Sequence, residues 1–314
     1  MTSVSKKIFA MLVTSVFFYS VGGVMVYEAA RQMPTSYVVL LYAIGGLFGV
    51  LVIYKTIGVR LKATRKAYLF ALSNAAIVVS LLYLLFISYK RFDLAQIYPF
   101  LSLSVILFFA IDVAIYKKRI PKKMGFILLL GMILVVVGSF ITGSSDLNFN
   151  YSLLPFIILF VILGGVTDYL YFYRIIEYTI GSKIITFDLL FLVLGIILVL
   201  SGNFTGAVHS YIMAYGLFGG FAGVVATVFE LKAMKIYNQR KISHLVAERN
   251  FINNFSYLDT VFVLIGSIII GSFTYQEVLG GILLVIGVVI VGIARENTNR
   301  GKSKYKKYLK KHSW

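Results

Sequence analysis

Residues 243–270 read SHLVAERNFINNFSYLDTVFVLIGSIII, a run long and apolar enough to cross a bilayer yet loaded with Glu248, Arg249, Asn250, Asn253, Asn254, Ser256, Asp259 and Thr260. Wound as a helix at about 100° per residue, these polar residues share one broad arc, and Phe251, Phe255, Leu258, Phe262 and Ile265 fill the rest. Hydrocarbon cannot solvate such a face, so the helix must border a cavity inside a bundle of other helices. The remaining sequence is expected to supply that bundle.

Composition places the bundle in lipid. Of 314 residues, 60% are hydrophobic and 13% charged, which is more apolar surface than a soluble core absorbs. The fold class is therefore an all-α integral membrane protein. With no Cys, disulfides, thiolate metal sites and thiol catalysis are excluded. His209, His244 and His312 offer no pair at metal-ligand spacing, so neither a metal nor a cofactor is expected.

At roughly 20 apolar residues per crossing, ten transmembrane helices are predicted over 8–27, 37–54, 67–89, 94–116, 124–143, 152–173, 184–201, 210–230, 246–270 and 277–294. The first follows Lys6 and Lys7 as a signal peptide would, but its length and the lack of a small-residue cleavage site favour a retained helix. Placing the N-terminus in the cytoplasm puts 26 of the 30 Lys and Arg residues on the cytoplasmic side, three outside (Arg31, Lys90 and Arg91) and Arg249 within the ninth helix. This bias points to a multi-pass protein of the cell membrane with both termini cytoplasmic. It also accounts for most of the net charge of +18 without nucleic acid. The basic tail, 296–314, is read as a topology anchor able to touch anionic membrane lipids.

Halfway along the chain the pattern restarts. Lys90 to Pro99 stands against Arg240 to Arg249, and Gly125 and Gly131 stand against Gly281 and Gly287. Five helices per half is an odd number, so the second half enters the membrane in the opposite sense. The expected organisation is two inverted five-helix repeats, residues 1–146 and 147–295, a plan associated with secondary transporters whose site lies between the halves.

At these residues the chain resembles the EamA-type ten-helix members of the drug/metabolite transporter superfamily. The matching residues in the first half are Tyr83-Leu84-Leu85 through Ala95, Tyr98-Pro99-Phe100, Gly125, Gly131 and Gly138; in the second they are Ala247 to Asn254, Gly271, Gly280, Gly281 and Gly287. The resemblance spans about residues 5 to 295 and implies a transporter rather than an enzyme. It departs from the family pattern at Lys117 and Ser272, where a glutamate is common, and at Arg249, which stands in place of the second-half proline.

Substrate contacts are expected from Glu248, Asn253, Asn254, Ser256 and Asp259 on the ninth helix, from Tyr98 and Ser102 at the corresponding place in the first repeat, and from Asn74 on the third helix. Each has a plainer reading: helix packing for the asparagines, a tolerated kink at Pro99, a buried hydrogen bond for Asp259. Asp259 lies 11 residues before Ile270, about 16 Å along the axis. An ionised carboxylate at that depth is costly, which makes Asp259 and, nearer the cytoplasm, Glu248 the candidates for proton coupling. Asp112, Asp168, Asp188 and Glu230 fall near the cytoplasmic ends of their helices and are read as partners of the basic loops. Paired glycines such as Gly22-Gly23, Gly45-Gly46 and Gly219-Gly220 lie inside apolar helices and are read as close-packing sites.

The leading expectation is a secondary transporter, an exporter or exchanger of a small polar or amphipathic metabolite such as an amino acid, with no catalytic residues and an undetermined oligomeric state. No phosphate-binding G-x-x-x-x-G-K-[ST] motif occurs, so any coupling is to an ion gradient or to the substrate's own. A lipid scramblase or a membrane-embedded enzyme is the alternative.

Overall fold

A computed structural model describes residues 3–57, 64–116, 122–143, 151–174, 180–202, 210–239 and 275–298. The ninth expected helix lies outside these residues, and with it Glu248, Asn253, Asn254, Ser256 and Asp259, as does the basic tail from residue 299 onward. Every element among the described residues is helical: α1 (Ser3–Gln32), α2 (Thr35–Ile57), α3 (Arg65–Ser88), α4 (Leu94–Leu101), α5 (Ser104–Tyr116), α6 (Lys122–Gly143), α7 (Leu154–Arg174, led in by a 3-10 turn over Tyr151–Leu153), α8 (Ile180–Ser201), α9 (Ser210–Gln239) and α10 (Tyr275–Thr298).

Six of these, α1, α2, α3, α6, α8 and α9, are long and apolar enough to cross a membrane. Large apolar side chains also point outward, including Phe48, Leu51, Phe126, Ile197 and Leu200. A helix apolar on all sides makes sense only where its surroundings are apolar too.

The expected fourth helix, 94–116, is divided. Pro99 and its neighbours tighten into a turn in which Ser102 N–H donates to the Pro99 carbonyl at 3.2 Å and Leu103 N–H to the Phe100 carbonyl at 3.1 Å. In a continuous α-helix the Pro99 carbonyl would instead accept from Leu103. A second donor, the buried Ser139 hydroxyl of α6, reaches the same carbonyl at 3.0 Å. The Pro99 carbonyl thus has two donors, and α4 and α5 are separate helices. At the far end of α4, Gln96 accepts from the Asp93 N–H at 3.2 Å and secures the first turn.

The helices pack in a definite set of pairs: α1 with α9, α2 with α8 and α9, α3 with α7 and α8, α5 with α7, and α6 with α10. Glycine sets the separation in the tightest of them. A Cβ on Gly45 would enter the Leu217 carbonyl, and one on Gly220 would enter that of Tyr42, so α2 and α9 meet backbone to backbone. Along α6 and α10, which run antiparallel, a Cβ on Gly138 would lie 2.5 Å from Leu284 N, and one on Gly287 would lie 2.6 Å from Val135 N. Paired glycines thus serve helix packing.

This contact makes a stability prediction. Gly138→Val and Gly287→Val should each force α6 and α10 apart and destabilise the fold by about 1–3 kcal/mol, the usual cost of overpacking. Leu129→Val, on the exposed face of α6, should do much less. Thermal melts of detergent-purified protein would show the difference, and equal melting temperatures for all three would contradict the interface.

Candidate functional site

Six helices, α1, α2, α3, α7, α8 and α9, leave between them a cavity of about 250 Å³. One part of its wall is apolar, from Val26, Val78, Leu82, Phe86 and Phe187. The other part is polar, from Tyr19, Asn74, Thr167, Lys183, Thr227 and Glu230. These polar residues sit toward the end of the bundle at which α1, α3 and α8 begin and α9 finishes. The cavity is amphipathic, with both a carboxylate and an ammonium on its wall.

Two hydrogen-bonding arrangements occupy the polar end. The Tyr19 hydroxyl lies 2.9 Å from Thr227 Oγ1 and 3.1 Å from Glu230 Oε2. Thr227 in turn reaches the Gly223 carbonyl at 2.8 Å. Two hydroxyl protons serve these three contacts, so one of them always lacks its proton. An incoming donor could complete the set.

Asn74 is different, because it is fully buried and neither Oδ1 nor Nδ2 has a partner; Thr167 Oγ1 is also unpartnered. A buried amide left without hydrogen bonds costs on the order of 1–3 kcal/mol. A side chain that can both donate and accept, held at a cavity wall without a partner, is suited to a ligand that does the same.

At the opposite end of the cavity aromatic rings pack on one another, with Tyr42, Phe86 and Tyr89 on its wall. Tyr27 meets Tyr89 edge-on with centroids 5.3 Å apart, and Phe86 stacks against Tyr89 at 6.4 Å. Tyr42 sets its edge against Phe86 at 5.5 Å and against Phe191 at 5.3 Å. Beyond them Arg31 bridges to Asp93 at 2.8 Å and donates to the Tyr27 oxygen at 2.6 Å, while the Tyr27 hydroxyl donates to Asp93 at 3.0 Å. The two charged side chains are 51% and 61% exposed, so their pairing contributes only about 0–1 kcal/mol. This tie between α1 and the start of α4 holds position yet opens at little cost.

Of the residues singled out from the sequence, Asn74 lines the cavity. Ser102 is buried at the α4–α5 turn and is not among the lining residues. Tyr98 lies on α4, with its side chain outside the described residues. The expectation that Asp188 pairs with a basic loop is overturned: the side chain is fully buried on α8, and neither oxygen has a hydrogen-bond partner. It sits against Gly46 of α2 rather than among loop residues. No group of three His, Asp or Glu residues that could hold a metal occurs among the described residues.

Tyr19, Thr167, Lys183 and Thr227 were not anticipated. Their signal is weak in one dimension, since they are scattered over four helices and no local spacing joins them. Thr227 and Glu230, three apart on α9, are the exception that helical spacing could have flagged.

No family model matches the chain, and no curated protein matches it in sequence. A solved structure described as "Crystal structure of protein" is similar in fold, with a TM-score of 0.59 at 13% identity over 95% of this chain and 99% of that one. At that identity the likeness concerns the fold alone.

The unpartnered and partnered residues should respond oppositely to substitution. Asn74→Leu and Thr167→Val strand nothing and should leave the melting temperature unchanged or raised. Thr227→Val removes a partner from Tyr19 and should cost about 1 kcal/mol. A large loss at Asn74 would mean that its amide is satisfied inside the fold.

Proposed function

We propose that the protein is a secondary transporter of the drug/metabolite type that moves a small amphipathic metabolite, such as an amino acid, by alternating access between two inverted halves. The observation that carries this reading is the unpartnered Asn74 amide on the wall of a cavity within a bundle that holds six helices of membrane length. A zwitterion would find a carboxylate at Glu230, an ammonium at Lys183, donors and acceptors at Asn74 and Tyr19, and an apolar surface at Phe86 and Phe187. A scramblase would want such polar groups on a groove facing lipid. Here they face one another across an interior space.

Support for the inverted repeat comes from the way contacts exchange between the halves. Gly280 and Gly287 stand 149 residues after Gly131 and Gly138. A Cβ on Gly131 would meet Val291 and one on Gly280 would meet Thr142, which are themselves 149 apart; the Gly138–Leu284 and Gly287–Val135 contacts swap in the same way. The same shift turns the α1–α9 pair into α7–α3 and the α2–α9 pair into α8–α3, and all four pairs are in contact. The register this favours sets Gly131 against Gly280, not against Gly287. Within this scheme α4 and α5 together form the fourth helix, and residues 246–270 supply the ninth.

With the N-terminus cytoplasmic, the polar end of the cavity faces the cytoplasm and the Arg31–Asp93 tie lies outside. The conformation is then one closed to the exterior, and opening it requires the aromatic contacts of Tyr27 and Tyr89 to separate.

Purified protein in lipid vesicles should exchange a labelled amino-acid mixture by counterflow. Asn74→Leu should lower that flux about tenfold, which is the loss of one or two substrate hydrogen bonds at 1.4 kcal/mol per factor of ten. Absence of counterflow, together with redistribution of labelled lipid between leaflets, would favour the scramblase reading.

A further inference from the structure

We infer that Asp188 is a proton-binding site, placed so that its occupancy and that of the neighbouring cavity influence each other. It lies eight residues into α8 from Ile180, about 12 Å along the axis. Its side chain is fully buried, and both carboxyl oxygens lack a hydrogen-bond partner. Gly46 of α2 lies directly against it, and a Cβ there would collide with Oδ1. Glycine leaves the carboxyl its space but offers no side chain to neutralise it.

A buried carboxylate needs a cation, a set of donors or a proton. The helices packed on α8 are α2, α3 and α9. Asp188 acts on Tyr42 of α2, and no ionisable group of the described residues, Tyr83 on α3, Glu230 on α9 and Lys183 on α8 included, acts as a charge partner for its carboxyl. A tyrosine supplies no positive charge. With no cation and no donor set among the described residues, a proton is the occupant that fits. The exchange is simple: the carboxylate takes a proton from water on one side of the membrane and returns it to water on the other, with no other bond made or broken.

The route to the cavity is short. Tyr42, one turn before Gly46 on α2 and edge-on to Phe187 at 6.5 Å, lines the cavity, as do Ile184 and Phe187, which precede Asp188 by four residues and one. A ligand that displaces these side chains changes the access of water to the carboxyl group. The proton site itself stands on the burial of Asp188; its coupling to substrate rests on the transporter reading above.

Infrared difference spectra of the full-length protein across a pH step separate these claims. The carbonyl stretch of a protonated carboxyl group should be present in the wild type at neutral pH, lost in Asp188→Asn and displaced in Asp188→Glu, which carries the test if the Asn variant does not fold. A spectrum with no Asp188-dependent stretch overturns the proton site. In vesicles, an imposed pH gradient should drive accumulation of a labelled amino-acid mixture, and Asp188→Asn should reduce that accumulation at least tenfold while counterflow persists. Wild-type counterflow indifferent to pH, or driven instead by a sodium gradient, overturns the coupling. The infrared stretch without any counterflow would leave the proton site standing and remove the transporter reading.

Discussion

Two apolar helices in hydrocarbon gain nothing by hiding from water, so what holds them is close approach. This constraint organises the whole chain. Gly45 and Gly220 bring α2 and α9 to backbone contact, Gly22 and Gly219 do so for α1 and α9, and Gly131, Gly138, Gly280 and Gly287 do so for α6 and α10. Where the glycines stop, larger side chains hold the helices apart. The cavity lies beside these glycine seams, and Gly22, Gly219 and Gly223 form part of its wall.

The same environment explains why so few polar side chains matter so much. In water an unpartnered Asn74 would be an unremarkable surface residue. Buried inside a helix bundle it is a cost that persists only if something offsets it. Asp188 is the sharper case, because a buried charge is dearer than a buried amide. One orphaned amide on the cavity wall and one orphaned carboxyl behind it suit a substrate and a proton that visit neighbouring places. The exposed Arg31–Asp93 tie at the other end is weak, which suits a contact that the proposed cycle would break.

Much of the fold was legible in the sequence, since hydropathy alone places most of the described helices within about five residues of their observed spans, the divided fourth helix and the longer α9 apart. The ends differ because polar residues extend helices past the apolar window, as Leu231 to Gln239 do for α9. The break between α4 and α5 was half visible: Pro99 marked the place, but the Ser139 hydroxyl that caps its carbonyl comes from a helix 40 residues away. Asn74 was visible as an amide in an apolar run. Asp188 was misjudged because its depth was counted from residue 184, whereas α8 begins at Ile180, and because no linear reading places Gly46 opposite it. The convergence of Tyr19, Thr167 and Thr227 on one cavity joins α1, α7 and α9, which are far apart in the sequence, and no local pattern in the chain marks it.

The central claim is that the space between α1, α3, α7 and α9 is a substrate compartment reached from one side of the membrane at a time. The chain has no native cysteine, and Thr167 has an unpartnered hydroxyl on the cavity wall. Thr167→Cys therefore places a single small thiol there without breaking a bond. The account predicts that a small membrane-impermeant thiol reagent modifies it from the cytoplasmic side, and that the amino-acid mixture exchanged by the wild type slows the reaction. Modification that is equally fast from both sides, or blind to substrate, would contradict it.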